Sequence, residues 1–207
     1  MDENSIIRKV REYLYQNDVN KIDALEISAS TGIPVAELLK IAPAPYELVR
    51  KVFGYELKEF AVIFDEYNFD EQNPIDVLII VGQEVFKKFH DLNPAITYKL
   101  KKLYPEIYEE HLNNKIKFLV EHITNNFKRG KKQGIYKKDL DIENIKTNLK
   151  GKIEKLHEHK LLSTGKLTFE YAFNELIENF IKESAYSDWW YYYKQRKQLY
   201  EALDFNR

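Results

Sequence analysis

Apolar residues recur every three to four positions along most of the chain, the spacing of one buried face of an α-helix. Ten helices are predicted, at about 5–16, 23–30, 34–41, 45–67, 74–91, 94–102, 105–129, 141–158, 168–184 and 187–204. Their starts are punctuated. Asn73-Pro74 and Asn93-Pro94 each set a capping amide before a proline, which loses no needed donor at the first helical position. Pro105 opens another helix, and Gly32, Gly130 and Gly134 read as stops or turns. In the fourth helix Leu48, Val52, Leu57, Phe60, Ala61 and Phe64 share one broad face. At 1.5 Å per residue that helix spans roughly 35 Å. It can begin in a small head and end in a larger body. The expected architecture is therefore all-α, with a head over residues 1–45 and a helical body over residues 46–207.

Composition narrows this further. Of 207 residues, 44% are apolar and 31% charged, enough to build a core. Seven glycines and six prolines disfavour a strand-rich fold with many tight turns. The absence of cysteine excludes disulfides, thiolate metal sites and a cysteine nucleophile, and fits a reducing compartment. No run of about 18 apolar residues predicts a membrane span. The start, MDENSIIRKVREYLY, lacks the basic, then apolar, pattern of a secretory signal. A cytoplasmic location is expected. The net charge is −1, and residues 1–50 carry six basic against eight acidic side chains. A head that binds DNA normally leans the other way.

Residues 23–41, DALEISASTGIPVAELLKI, have helix-turn-helix spacing: a short helix, Gly32 where a tight corner needs positive φ, and a second short helix after Pro34. The segments Glu26-Ile27-Ser28, Gly32-Ile33-Pro34, Leu38 and Glu47-Leu48 resemble the head of TetR-family transcriptional regulators. So do Phe89-His90-Asp91-Leu92-Asn93-Pro94, then Tyr98, Leu100 and Leu103-Tyr104-Pro105-Glu106, and the turn Gly134-Ile135-Tyr136-Lys137-Lys138-Asp139-Leu140-Asp141. These body segments are similar to the branch common in Bacteroidetes. The resemblance covers roughly residues 5–184. It implies a homodimer paired through the helices at about 141–158 and 168–184. Two heads would then stand about 34–36 Å apart, and a ligand in the body would select between head spacings.

The chain departs from the family pattern at the recognition helix. Small polar, basic and tyrosine residues usually stand there, binding phosphates and reading base edges. Here the positions are held by Val35, Ala36, Glu37, Leu39, Lys40 and Ile41. Glu37 replaces a phosphate-contacting threonine, Leu39 and Ile41 replace tyrosines, and Pro45 replaces a lysine that opens the fourth helix. Lys40 alone keeps a positive charge, so the head is a degenerate one with few counterions to release. The alternative function is a family-derived dimeric module, binding a ligand or a protein, that no longer reads DNA.

Fifteen tyrosines, twelve phenylalanines and two tryptophans supply aromatic walls. By resemblance, Phe64, Phe86, His90, Tyr98, Tyr104, Tyr108, Phe118 and His122 lie on the helices that line the effector cavity, which suits a small, mostly apolar ligand. Taken singly, each is also explained as plain core. The run KRGKKQGIYKK at 128–138 has six cations and no acid. It fits an acidic partner, or better the solvated end of a helix whose macrodipole the cations complement. His157-Glu158-His159 is rejected as a metal site, because residues two apart on a helix face different sides and no third ligand is near. No nucleophile motif, glycine-rich phosphate loop or HExxH occurs. No catalytic residue, metal or cofactor is expected, and the chain does not read as an enzyme. The tail from Ser184, with Trp189, Trp190 and Tyr191 to Tyr193, is expected to pack over the body or a partner subunit, as extra core or as a lid.

Overall fold

A computed structural model describes residues 1–17, 20–67, 69–89, 94–158 and 167–204, and its regular structure is helical. The order is α1 (Glu3–Gln16), α2 (Ala24–Thr31), α3 (Val35–Ile41), α4 (Pro45–Glu66), α5 (Pro74–Phe89), α6 (Pro94–Leu103), α7 (Pro105–Lys132), α8 (Ile142–Leu156), α9 (169–184) and α10 (Ser187–Asp204). The all-α expectation is met, helix by helix. Among the described residues no helix is long and apolar enough to cross a membrane.

Local chemistry explains the ends. Asp2 accepts from the Ser5 N–H, and Asp23 from the Leu25 N–H. Asn73 accepts from the Ile75 N–H at 2.8 Å, the cap expected before Pro74. Asn93 lies outside the described residues. Gly32 ends α2 at φ 72° and donates its N–H to the Ser28 carbonyl. Gly134 turns the chain after α7 at φ 73°. Gly130, expected as a stop, is instead inside α7, which runs on to Lys132. Its lack of a side chain serves packing. A Cβ there would lie 2.4 Å from the Tyr136 ring, which is fully buried and donates its hydroxyl to Asn126. The ninth helix is not a regular α-helix either, since Asn174–Glu178 form a π turn between two α segments. Next to that turn, the Phe173 ring lies against Gly82 of α5, where a Cβ would lie 2.1 Å away.

The core has two parts. One apolar cluster joins Ile6, Val10 and Leu14 of α1, Ile27, Ile33 and Leu38 of the α2–α3 corner, and Val49, Val52 and Phe53 of α4. It continues to Ile96, Leu100, Tyr108, Ile116 and Ile153 on α6, α7 and α8. The second collects Ile75, Ile79, Phe127, Tyr136, Leu149, Phe180, Ile181 and Tyr193. α10 belongs to this second part. Tyr193 is fully buried in it, Tyr192 and Arg196 bond Asp76 of α5, and Lys197 bonds Glu178 of α9. The tail is thus extra core strapped to α5 and α9.

Candidate functional site

The first candidate surface is the helix-turn-helix corner. Ile27, Ile33 and Leu38 point inward and fix the two short helices on α1 and α4. What remains outside is α3's other face. Ala36 and Lys40 are exposed, Leu39 is 45% exposed, and Val35 and Glu37 are half-covered. Ile41 packs against the core. Glu37 lies 3.9 Å from the N-terminal amine. Pro45 opens α4 with Tyr46 exposed beside it, and the Glu47 carboxylate accepts from the Ala44 N–H. The face a groove would meet therefore offers apolar groups and few cations.

The interior of the body is the chemical opposite. Arg11 of α1 donates Nε to the Glu56 carboxylate of α4 at 3.2 Å, with the two side chains 7% and 6% exposed. Tyr15 hydrogen-bonds Glu56 and Thr97. The Arg11 guanidinium lies over the rings of Tyr15 and Phe89. On the other side of Glu56, which draws it electrostatically, the partly buried Lys115 ammonium of α7 lies 5.6 Å from the centre of the Phe60 ring. His111, one turn before it, stacks on Phe53 at 4.3 Å. Tyr108 meets His157 Nδ1 at 2.6 Å, and Lys101 donates to the His157 carbonyl.

Burial sets the electrostatics of this group. It raises the Glu56 carboxyl, against the pull of Arg11 and Lys115. It lowers the Lys115 ammonium, against the pull of Glu56. Burial, with Lys115 adding to it, brings His111 down to about 3 and lowers His157 well below the usual imidazole range. Burial likewise holds the Tyr108 and Tyr15 phenols protonated far above their ordinary range. Next to His111, between α4 and α7, is a recess of about 90 Å³ lined by Phe53, Gly54, Leu57 and Asn114.

The expected pocket residues do not converge on one point. Phe64, Phe118 and His122 do meet: the His122 ring lies 3.9 Å from Phe64 and 4.3 Å from Phe118. Burial lowers the His122 pKa. Tyr108 and Tyr104 belong to the other aromatic group, near Phe53. Tyr98 sits under the Lys102 ammonium. Phe86 is 51% exposed. His90 lies outside the described residues, as does His159. Arg11, Glu56, His111 and Lys115 were not singled out in the sequence, and His157 was weighed only as a metal ligand. Each lies three or four positions from a buried apolar residue, and that spacing was the available signal.

Three helices with a bihelical corner, followed by the long α4 and six further helices, define an all-helical class of fold. Three solved structures share it. A regulatory protein TetR from Rhodobacter sphaeroides aligns with TM-score 0.62 and 14% identity over 87% of this chain and 97% of that one. A putative TetR-family transcription regulator from Shewanella sp. PV-4 aligns at 0.51 and 12%, over 90% of this chain and all of that one. A putative transcriptional regulator from Saccharomonospora viridis, in complex with choline, aligns at 0.53 and 16%, over 87% and 96%. The fold is that of TetR-type regulators. No protein-family model matches the sequence, and no curated protein matches it.

Proposed function

We propose that the chain is a homodimeric, cytoplasmic transcriptional regulator that binds double-stranded DNA through the α2–α3 corner under control of a small ligand in the body. The observation that carries this is the intact corner. Gly32 holds the left-handed conformation the turn needs, and Ile27, Ile33 and Leu38 hold both helices on the same core that α4 carries into the body. The division is a head over residues 1–45 and an effector and dimerisation body over 46–207. The dimer pairs through α8 and α9. The ligand is small and mostly apolar, seated among Phe64, Phe118 and His122. The function is binding and not turnover: the buried polar groups face each other, as a coupling element between α1, α4 and α7 would. Fluorescence anisotropy of the purified chain on duplexes from its own promoter region tests this. Saturable binding to a palindrome, weakened by salt, supports it; no binding at low salt removes the DNA-reading part.

A second reading is supported by the outer face of α3. With Leu39 and Ala36 exposed, Glu37 beside them and Lys40 as the cation of that face, the head can be a folded remnant on a module that binds a ligand or a protein. Restoring Thr at 37 and Lys at 45 separates the two. If DNA binding appears only in Glu37→Thr/Pro45→Lys, the remnant reading holds.

A further inference from the structure

We infer a second ligand site, for a polyphosphorylated small molecule, in the groove between α7 and α8. It lies outside the aromatic interior and does not depend on the head reading DNA. The groove holds about 500 Å³, the size of a small-molecule site. Its α7 wall presents Lys117, Glu121, Thr124 and Lys128, three or four residues apart and so on one helix face. Its α8 wall presents Lys146 and Lys150.

Two observations point to an anion. First, the charges are unequal, four lysines against Glu121. Lys146 and Lys150 are paired with the exposed Glu143 and Glu154 of their own helix, at 2.6 and 3.8 Å. Lys117 and Lys128 make no ion pair among the described residues. They stand three helical turns apart, about 16 Å along α7. Second, Thr124 is 3% exposed, and its hydroxyl has no hydrogen-bond partner in the structure. A buried hydroxyl without a partner costs about 1–3 kcal/mol; the Thr124 oxygen is closed off from water in this structure, so a ligand oxygen would accept from it only as the side chains over it move aside. The groove is also graded along its length. Ile116 and Val120 make its floor apolar near Lys117, while Thr124, Lys128 and Lys146 make the other end a cationic cradle. That gradient fits a molecule with a flat organic part at one end and phosphates at the other, such as a nucleoside polyphosphate. Lys128 also begins the basic run 128–138. Other cations of that run are engaged elsewhere: Arg129 on the Phe69 carbonyl, Lys131 on that of Leu140 and Lys137 on that of Glu183.

The test is titration calorimetry of the full chain in magnesium-free buffer with adenosine triphosphate, inorganic tripolyphosphate and neutral adenosine. Both anions should bind, the nucleotide more tightly, and adenosine should not. Lys117→Gln/Lys128→Gln should weaken nucleotide binding about tenfold, as loss of two charge contacts does. The charge-matched Lys138→Gln/Lys155→Gln, on exposed positions outside the groove, should change it less than about twofold. Thr124→Val should weaken it several-fold while leaving thermal stability equal or higher, since the variant removes an unsatisfied hydroxyl. Absence of nucleotide binding overturns the proposal, as does equal loss in the two lysine pairs, which would mean diffuse attraction. Binding of duplex DNA without the small anions overturns it too. So does a Lys117→Gln/Lys128→Gln chain that falls from dimer to monomer with nucleotide affinity unchanged, which would make the groove a contact between copies.

Discussion

The outer face of α3 and the interior between α1, α4 and α7 have exchanged the chemistry usually assigned to them. The surface that would meet a polyanion is short of cations, with Lys40 set among Ala36, Leu39 and Pro45. The interior, which apolar packing would fill, holds Arg11, Glu56, Lys115, His111 and His157. Apolar positions preserve the shape of both regions. A fold of this kind survives surface change cheaply, because surface substitutions away from special features move stability by no more than about 0.5 kcal/mol. Buried charges are retained only against a desolvation cost of several kcal/mol per ion. Substitutions in the interior should therefore cost stability, and substitutions on the outer face of α3 should cost little.

The sharpest test of that contrast removes one buried partner. Glu56→Ala should cost about 3–5 kcal/mol in urea unfolding, because it takes from the interior the carboxylate that Arg11 bonds and that draws the Lys115 ammonium. The double variant Arg11→Met/Glu56→Leu should recover part of that loss, since Lys115 still lacks the carboxylate that faces it. If the single variant costs under about 1 kcal/mol, the pair behaves like a surface salt bridge and the contrast fails.

The second test uses pH. The folded-state pKa of His111 is about 3, below the unfolded value near 6.5. As pH falls from about 6.5, the unfolded chain takes up this proton first. Native stability therefore declines by about 1.4 kcal/mol per pH unit on account of this residue. His111→Phe retains the ring against Phe53 and removes that slope. Relative to the parent chain it should gain about 2 kcal/mol between pH 7 and pH 5. Parallel curves for the two proteins would show that His111 titrates in the folded state as it does in water.

The head should yield smaller numbers. Gly32→Ala meets open space, but must adopt φ 72°, at a cost of about 1–2 kcal/mol. Lys40→Gln should leave the melting temperature unchanged. In a dimer with one phosphate contact per head, it should reduce the salt slope of DNA binding by about 2.

The fold was largely legible in the sequence because its signals are local. Proline and asparagine mark the start of α5, proline starts α7, and Gly32 marks the corner. The apolar stripes of α1, α7 and α8 bury the residues their spacing suggests. Gly130 shows the limit. Its role depends on the ring of Tyr136, six residues on, which reaches back after the turn at Gly134. The π turn of α9 was likewise invisible to a periodicity of three to four. The site was less legible, for a related reason. A charge on an apolar stripe looks like a boundary of that stripe until its partner is known. Glu56 and Arg11 are 45 residues apart, and Tyr108 and His157 are 49 apart. The spacing of the aromatic residues did not say which rings meet. Phe64, Phe118 and His122 converge, while Phe86 faces outward.

The proposal of a DNA-reading dimer is tested most directly by anisotropy of the full chain on a palindromic duplex from its own promoter, titrated from low to physiological salt. Saturable binding at two heads per palindrome, with a shallow salt slope that Lys40→Gln makes shallower still, is the predicted result. No association at the lowest salt, or association equal on unrelated duplexes and unaffected by Lys40→Gln, would contradict it.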